Sequence, residues 1–301
     1  MAQTTQFLVG TASWTDPTLL STDLFYPPSL TTPEARLRFY AERFNTVEVD
    51  STYYGMLSER TARTWVERTP NDFIFNLKAF ALLTQHPTEV SRLPQVLRQM
   101  LAADVPARLS RPSPELRIKA FEMFRAAAQP LVESGKLGMI LFQFPPYFVC
   151  NPANQDYLAA LPQLMPAVDL AIEFRHPSWV TPAERRQQTL DFLRLHGLYY
   201  TSTDAPAGPS IAPSFVAASG SRIYMRFHGR NAQRWFQKGI TPAQRFRYLY
   251  SEQELAQVAG NVRAVSGIAR AYLIFNNCYA NYGVMNAATM KEILTHPEPR
   301  P

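Results

Sequence analysis

Short apolar segments alternating with helical stretches constrain this chain more than any other feature, because that order builds a parallel sheet with crossover helices. The strands read as Phe7–Gly10, Thr46–Asp50, Phe73–Lys78, Leu137–Phe144, Asp169–Phe174, Leu198–Ser202, Ile223–Phe227 and Arg270–Phe275. Helices are expected at Pro33–Arg43, Glu59–Glu67, Glu115–Glu133, Asn154–Leu164, Pro182–Leu195 and Ser251–Ile268, with a closing one at Ala287–Leu294. Thr32 before Pro33 has the form of an N-cap followed by a first helical position, and Ser251 with Glu254 that of a capping box. Two units break the alternation. The excursion Ala79–Pro114 follows the third strand, and Asp204–Ser221, rich in Pro, Ala, Ser and Gly, carries no helical stripe. Eight strands in this order predict an α/β fold, a TIM-like (β/α)8 barrel forming a single domain over residues 1–301. It is expected to be irregular, with an insertion after strand three and a poorly helical unit after strand six. A doubly wound open sheet is the alternative.

Composition narrows the class. Hydrophobic residues make up 46% of the chain and charged residues 18%, which supports a sizeable core and excludes disorder. No apolar run approaches the roughly 20 residues of a membrane span. Met1–Gln6 lacks the basic-then-apolar pattern of a secretory leader. Cys150 and Cys278 are the only cysteines, too few for a disulfide scaffold, so a cytoplasmic location is expected. The net charge of +6 permits attraction to phosphates or acidic ligands without demanding it.

Strand parity carries the functional reading, since successive side chains of a strand point to opposite faces. Val47 and Val49 share one face and Glu48 and Asp50 the other. Ile172 and Phe174 likewise alternate with Glu173 and Arg175, and Ile223, Met225 and Phe227 with Tyr224, Arg226 and His228. Asn76 and Lys78 share a parity in strand three, Gln143 ends strand four, strand six leads into Asp204, and strand eight runs into Asn276. Charges inside a packed barrel are costly unless paired. Their concentration near the carboxyl ends of seven strands therefore predicts a polar basin at the rim where barrel enzymes build their sites.

Several chemistries fit that basin. Glu48, Asp50, Glu173 and His228 are the candidate acids and bases, His228 because imidazole titrates nearest neutrality. Lys78, Arg175, Arg226 and Arg230 are suited to an anion, with Trp14, Tyr53, Gln143, Trp179, Asp204 and Asn276 as further substrate-binding candidates. The bland counterpart is a Glu173–Arg175 or Glu48–Arg226 salt bridge that only braces the barrel top. Glu173, Asp204, His228 and a strand-two carboxylate also make an oxygen-and-nitrogen set that a divalent metal would accept, but no compact metal motif is present and no metal ligand is assigned. No organic-cofactor motif is present either, so the cofactor is left open. Two segments qualify as lids: Thr84–Pro114, and Arg230–Tyr250, in which Arg234, Trp235, Phe236, Lys238, Arg245 and Tyr248 interleave cations with aromatics in a manner that also suits single-stranded nucleic acid.

The string Val9-Gly10-Thr11-Ala12-Ser13-Trp14, the run Phe44 to Tyr54, Leu141-Phe142-Gln143-Phe144-Pro145-Pro146, the run Glu173 to Trp179, Tyr224 to Arg230 and Phe275-Asn276-Asn277 together resemble the YecE-like family of bacteria and archaea. That resemblance covers nearly the whole chain and implies a TIM-like barrel with an incomplete helix set. It implies no established activity. The barrel is distantly similar to the xylose-isomerase and endonuclease-IV group, although this sequence lacks the histidines of a trinuclear metal cluster. The expectation is thus an enzyme for an anionic (phosphate- or carboxylate-bearing) or sugar-like small molecule, with no membrane partner and the oligomeric state open. The alternatives are a nucleic-acid-binding protein, a metal-assisted phosphodiesterase and a catalytically silent scaffold.

Overall fold

Backbone hydrogen bonding accounts for the architecture. The computed structural model describes residues 4–208 and 211–296; Pro209, Ser210 and the ends of the chain, including part of the Met1–Gln6 stretch, lie outside the described residues. The barrel strands are β1 (Gln6–Thr11), β2 (Thr46–Val49), β3 (Ile74–Lys78), β4 (Leu137–Gln143), β5 (Asp169–Glu173), β6 (Tyr199–Asp204), β7 (Arg222–Phe227) and β8 (Arg270–Phe275). All pair in parallel, in the order β1-β8-β7-β6-β5-β4-β3-β2. An α/β TIM-like barrel is therefore what the chain forms, with its seam between β1 and β2.

That seam is closed by side chains. The two edges share one isolated bridge, Ala12 with Glu48, and one hydrogen bond, from Ser13 N to Glu48 O at 2.8 Å. Along the rest of the seam the Asn45 amide accepts from Val9 N at 3.0 Å and donates to Phe7 O at 3.3 Å. The Tyr40 hydroxyl accepts from Thr11 N at 2.8 Å and donates to Thr46 O at 3.2 Å. Gly10 permits the close approach, because a Cβ there would lie 1.9 Å from Thr46 O. A similar device bridges the register shift between β3 and β4. Asn76 Oδ1 accepts from Met139 N at 2.9 Å, in space that a Cβ on Gly138 would occupy.

Seven helices of nine or more residues surround the strands: α1 (Pro33–Ala41), α2 (Glu59–Glu67), α3 (Pro114–Glu133), α4 (Pro152–Leu164), α5 (Ala183–Leu195), α6 (Glu252–Arg263) and α7 (Tyr282–Thr295). Thr32 caps α1 ahead of Pro33, and the Ser251–Glu254 capping box opens α6. The sixth helix stops at Arg263 rather than Ile268, ahead of Gly267 with its φ of +73°. The seventh starts at Tyr282 rather than Ala287. Among the described residues no helix joins β6 to β7. The insertion after β3 is packed rather than loose: Thr88–Glu89 pairs antiparallel with Arg108–Leu109, and Leu93, Leu97 and Leu109 are buried. No helix among the described residues is long and apolar enough to cross a membrane.

Two apolar layers follow from strand parity. Val47, Val49, Phe75, Ile172, Ile223, Met225 and Phe227 face the helices in the main core. Leu8, Ile74, Met139, Leu141, Ala171, Tyr224, Tyr272 and Ile274 fill the barrel itself.

Candidate functional site

Above that inner cluster, the same inward face turns polar. Arg226 of β7 lies on the barrel axis with an exposure of 1%. Its Nε and Nη2 donate to Glu48 Oε2 and Oε1 at 2.9 and 2.7 Å, a two-pronged grip. Its Nη1 donates to Glu173 Oε2 at 2.7 Å and, more weakly, to Gln143 Oε1 at 3.4 Å. Tyr224 donates its hydroxyl to Glu48 Oε2 at 2.8 Å. Burial opposes the Arg226 charge, but Glu48 and Glu173 outweigh it and hold the guanidinium firmly protonated. Burial likewise opposes ionisation of Glu173, yet Arg175 and Arg226 hold its carboxyl well below the usual range. This layer pairs one guanidinium with two carboxylates.

His228 belongs beside it. Asn276 Nδ2 lies 2.9 Å from His228 Nδ1 and so donates to it, leaving the proton on Nε2, which faces Glu173 Oε1 at 3.5 Å. Burial and the neighbouring Arg175 push the imidazole down to about 3, so it is neutral. Trp235 and Phe246 of the Arg230–Tyr250 loop cover the ring, with centroids at 6.1 and 5.7 Å.

One step further along the strands the mouth opens into a cavity of about 550 Å³. Asp50, Tyr53, Lys78, Gln143, Arg175, Arg226 and Asn276 line it from the barrel. Ser13, Thr15, Asp16, Ser51, Tyr54 and Cys278 line the rim, and Ile240, Pro242, Ala243, Arg245 and Phe246 come from the loop. Arg175 Nε stands 2.7 Å from Glu173 Oε1, an ion pair whose N–H direction misses the oxygen. Arg175 Nη2 approaches His228 Nε2 at 3.4 Å, and Nη1 has no protein partner among the described residues. Lys78 Nζ stands 4.6 Å from the centre of the Tyr53 ring and makes no protein hydrogen bond or ion pair among the described residues. Desolvation, then the Arg226 charge, lower the lysine to about 8 against the pull of Glu48, Glu173 and Asp50. Its side chain is half-buried at the cavity wall. Burial and Glu48 raise the Asp50 carboxyl to about 6.

The structure thus divides the sequence candidates. Asp50, Tyr53, Lys78, Gln143, Arg175, Arg226 and Asn276 meet at the cavity. Glu48, Glu173 and His228, expected to act as acids or bases, are fully buried beneath its floor and do not line it. Trp14, Trp179, Asp204 and Arg230 do not reach it. Trp14 packs against Trp65 and Phe75 in the outer core. Trp179 stacks on Phe148 and Phe174 and donates its indole N–H to Phe148 O at 2.7 Å. Asp204 shares its parity with Tyr200, on the outward face, where Arg230 grips it with Nε and Nη2 at 2.9 and 2.8 Å. Tyr250 donates to the same Asp204 at 2.8 Å, and Glu254 accepts from Arg230 and Tyr248 at 3.1 and 2.6 Å. That network anchors the loop. The four-residue metal set considered above is accordingly not assembled, and among the described residues no group of three or more His, Cys, Asp or Glu is placed to hold a metal ion. The insertion contributes nothing to the cavity wall, so Thr84–Pro114 is no lid over it. Arg245, one of the cations of the Arg230–Tyr250 lid candidate, reaches the cavity; Asp16 was not foreseen, because it lies off the strands, where parity would have marked it.

Fold and site together define a TIM-like barrel with a charged cavity at the carboxyl rim of its strands. The chain belongs to the DUF72 family, whose model, described as a protein of unknown function, matches residues 8–301. It is 30% identical over 292 residues to the UPF0759 protein YunF of Bacillus subtilis, an alignment covering 95% of this chain and 94% of that one. Among solved structures, a DUF72 protein of Thermotoga maritima superposes with a TM-score of 0.76 at 29% identity, covering 97% of this chain and 100% of that one. One from Enterococcus faecalis gives 0.74 at 26% identity, covering 98% and 99%. The motif-based resemblance to a YecE-like family is corrected accordingly: the family matched is DUF72, with YunF among its relatives.

Proposed function

We propose that this barrel is an enzyme that binds a small anionic organic molecule in the mouth cavity. Arg175 and Lys78 hold the anion, Gln143 and Asn276 orient it, and Asp50 transfers a proton. The observation that carries this reading is that Arg175 Nη1 and Lys78 Nζ border the cavity with no protein hydrogen-bond partner among the described residues. Unspent donors on a cavity wall favour a ligand that brings acceptors. Asp50 supports the proton-transfer role, since a carboxyl raised to about 6 exchanges protons near neutrality. The inward packing of Trp235 and Phe246 on His228 favours a small ligand over single-stranded nucleic acid, because rings used in that way are not a free stacking platform. A cytoplasmic setting accords with two unpaired cysteines.

Thermal unfolding with phosphate, sulfate and small carboxylates tests the reading. An anion at about a hundred times its Kd adds roughly 2.7 kcal/mol to the stability of the bound form. Wild-type protein is expected to melt later with at least one of these anions, and Arg175→Met to lose the response. If no anion at tens of millimolar shifts the wild-type melting temperature, the anion-binding reading fails.

A further inference from the structure

The chain carries five lysines, and among the described residues Lys78 is the one that lines a cavity with no hydrogen bond or ion pair to its amine. Lys119 pairs with Glu122, Lys291 donates to the Arg43 carbonyl and Lys238 lies on an exposed loop. The buried Lys136 donates to Val66 O, Thr69 O and Thr69 Oγ1 at 2.8, 2.7 and 3.1 Å. Where this chain needs a fixed cation inside the barrel it uses arginine, as at Arg175 and Arg226. An amine differs from a guanidinium in one respect that matters for chemistry: it can shed its proton and attack.

We propose that Lys78 is a nucleophile that forms an imine with a carbonyl carbon of the bound anion, so that the ligand is an oxo acid or a phosphorylated aldehyde or ketone. The proposal rests on the anion-binding reading above and specifies its substrate class. Val49 pairs with Leu77, the residues immediately before Asp50, which opens the turn after β2, and Lys78, which ends β3. Asp50 and Lys78 both line the cavity, with Arg175 on its wall from the β5 side. The charges bearing on the amine are Arg226 against it, and Glu48, Glu173 and Asp50 for it. With the lysine lowered to about 8, roughly a tenth of it is neutral at pH 7, about 300-fold more than for an ordinary lysine at 10.5.

The step balances without an oxidant or reductant. The Nζ lone pair bonds to the carbonyl carbon while the C=O π pair moves to oxygen. Asp50 carries one Nζ proton to that oxygen, giving a carbinolamine. The C–OH bond then breaks, and the hydroxyl leaves as water with the second Nζ proton, again by way of Asp50. The product is a neutral imine, and amine plus carbonyl has become imine plus water.

Glyoxylate with sodium cyanoborohydride, which reduces an imine to a stable secondary amine, followed by peptide mass mapping, tests this. Neutral glycolaldehyde serves as the uncharged probe, and each rate at Lys78 is taken relative to that at Lys238. Lys78 is expected to label about 100-fold faster than Lys238 even with glycolaldehyde at pH 7, the gain its neutral fraction supplies, with a pH midpoint near 8, and more selectively still with glyoxylate. Lys78→Arg should abolish the adduct, because a guanidinium does not form the imine. Equal selectivity with both probes keeps the nucleophile but overturns the anionic substrate class. No preferential Lys78 adduct, in protein that phosphate still stabilises, overturns the imine alone. Neither adduct nor anion stabilisation overturns both readings.

Discussion

Lys78→Met is expected to make the protein more stable at pH 7, although it removes a charged side chain from the middle of the site. The lysine falls from 10.5 to about 8 on folding, which at about 1.4 kcal/mol per tenfold is a penalty of roughly 3 kcal/mol for keeping the ammonium in place. Because Nζ borders an open cavity, the amount recovered is smaller, about 1–3 kcal/mol. Methionine is unbranched and fills similar space without a charge to desolvate. At about 2–4 °C per kcal/mol for a large domain, the melting temperature should rise by roughly 2–12 °C. The pH dependence gives the sharper test. A lysine whose folded value lies below its unfolded value adds stability above 10.5 and loses that contribution as pH falls through about 8. The advantage of the variant should therefore be complete below pH 8 and fade towards pH 10.5. Paired melting curves of both proteins from pH 6 to 10.5 measure it, and the difference cancels other alkaline titrations. A variant that melts earlier than wild type at pH 7, or an advantage of the same size at pH 10.5, would refute the claim that Lys78 is a strained cation held for a ligand.

Arg226→Met should act in the opposite sense, since it strips Glu48 and Glu173 of their shared partner; about 3–5 kcal/mol should be lost in urea unfolding, and a loss below about 1 kcal/mol would contradict the brace. Asp50→Asn should change the pH profile at the acid end. The folded carboxyl at about 6 lies above the unfolded 3.8, so its contribution is full below about pH 4 and is lost as pH rises through 6. Wild type should thus lose stability relative to the variant across that window, and parallel melting curves from pH 4 to 7 would exclude it.

Parity made the inward charges of β2, β5 and β7 legible, because valine, isoleucine or phenylalanine stood on every alternate position. It failed at β6, where Tyr199-Tyr200-Thr201-Ser202-Thr203-Asp204 places aromatics and hydroxyls on both faces; Asp204 therefore read as a basin residue although it points to α6. Trp14 and Trp179 lie beyond strand ends, where alternation no longer fixes direction, and both turn into the outer core. Depth was illegible for a different reason. Glu48 and Asp50 are identical in pattern, and only the stagger between neighbouring strands decides which carboxylate meets Arg226 and which meets the cavity. That stagger depends on pairings between distant segments, which no local window contains.

The depth difference explains how an interior so highly charged remains usable. Glu48, Asn76 and Glu173 each lie two residues before Asp50, Lys78 and Arg175; Asn76 and Lys78 share a face of β3, about 6.6 Å apart along the strand, and Asp50 and Arg175 stand just past the ends of β2 and β5. The lower layer pairs one guanidinium with two carboxylates and so keeps one negative charge in excess. That excess is shared upward: Glu173 Oε1 faces Arg175 Nε, and both lower carboxylates favour the Lys78 ammonium. Arg175 can therefore remain charged in a buried setting while leaving Nη1 unspent, and Lys78 stays close to its point of deprotonation instead of being locked on either side. An anion entering the cavity would meet Arg175 Nη1 and Lys78 Nζ without displacing any hydrogen-bond partner among the described residues.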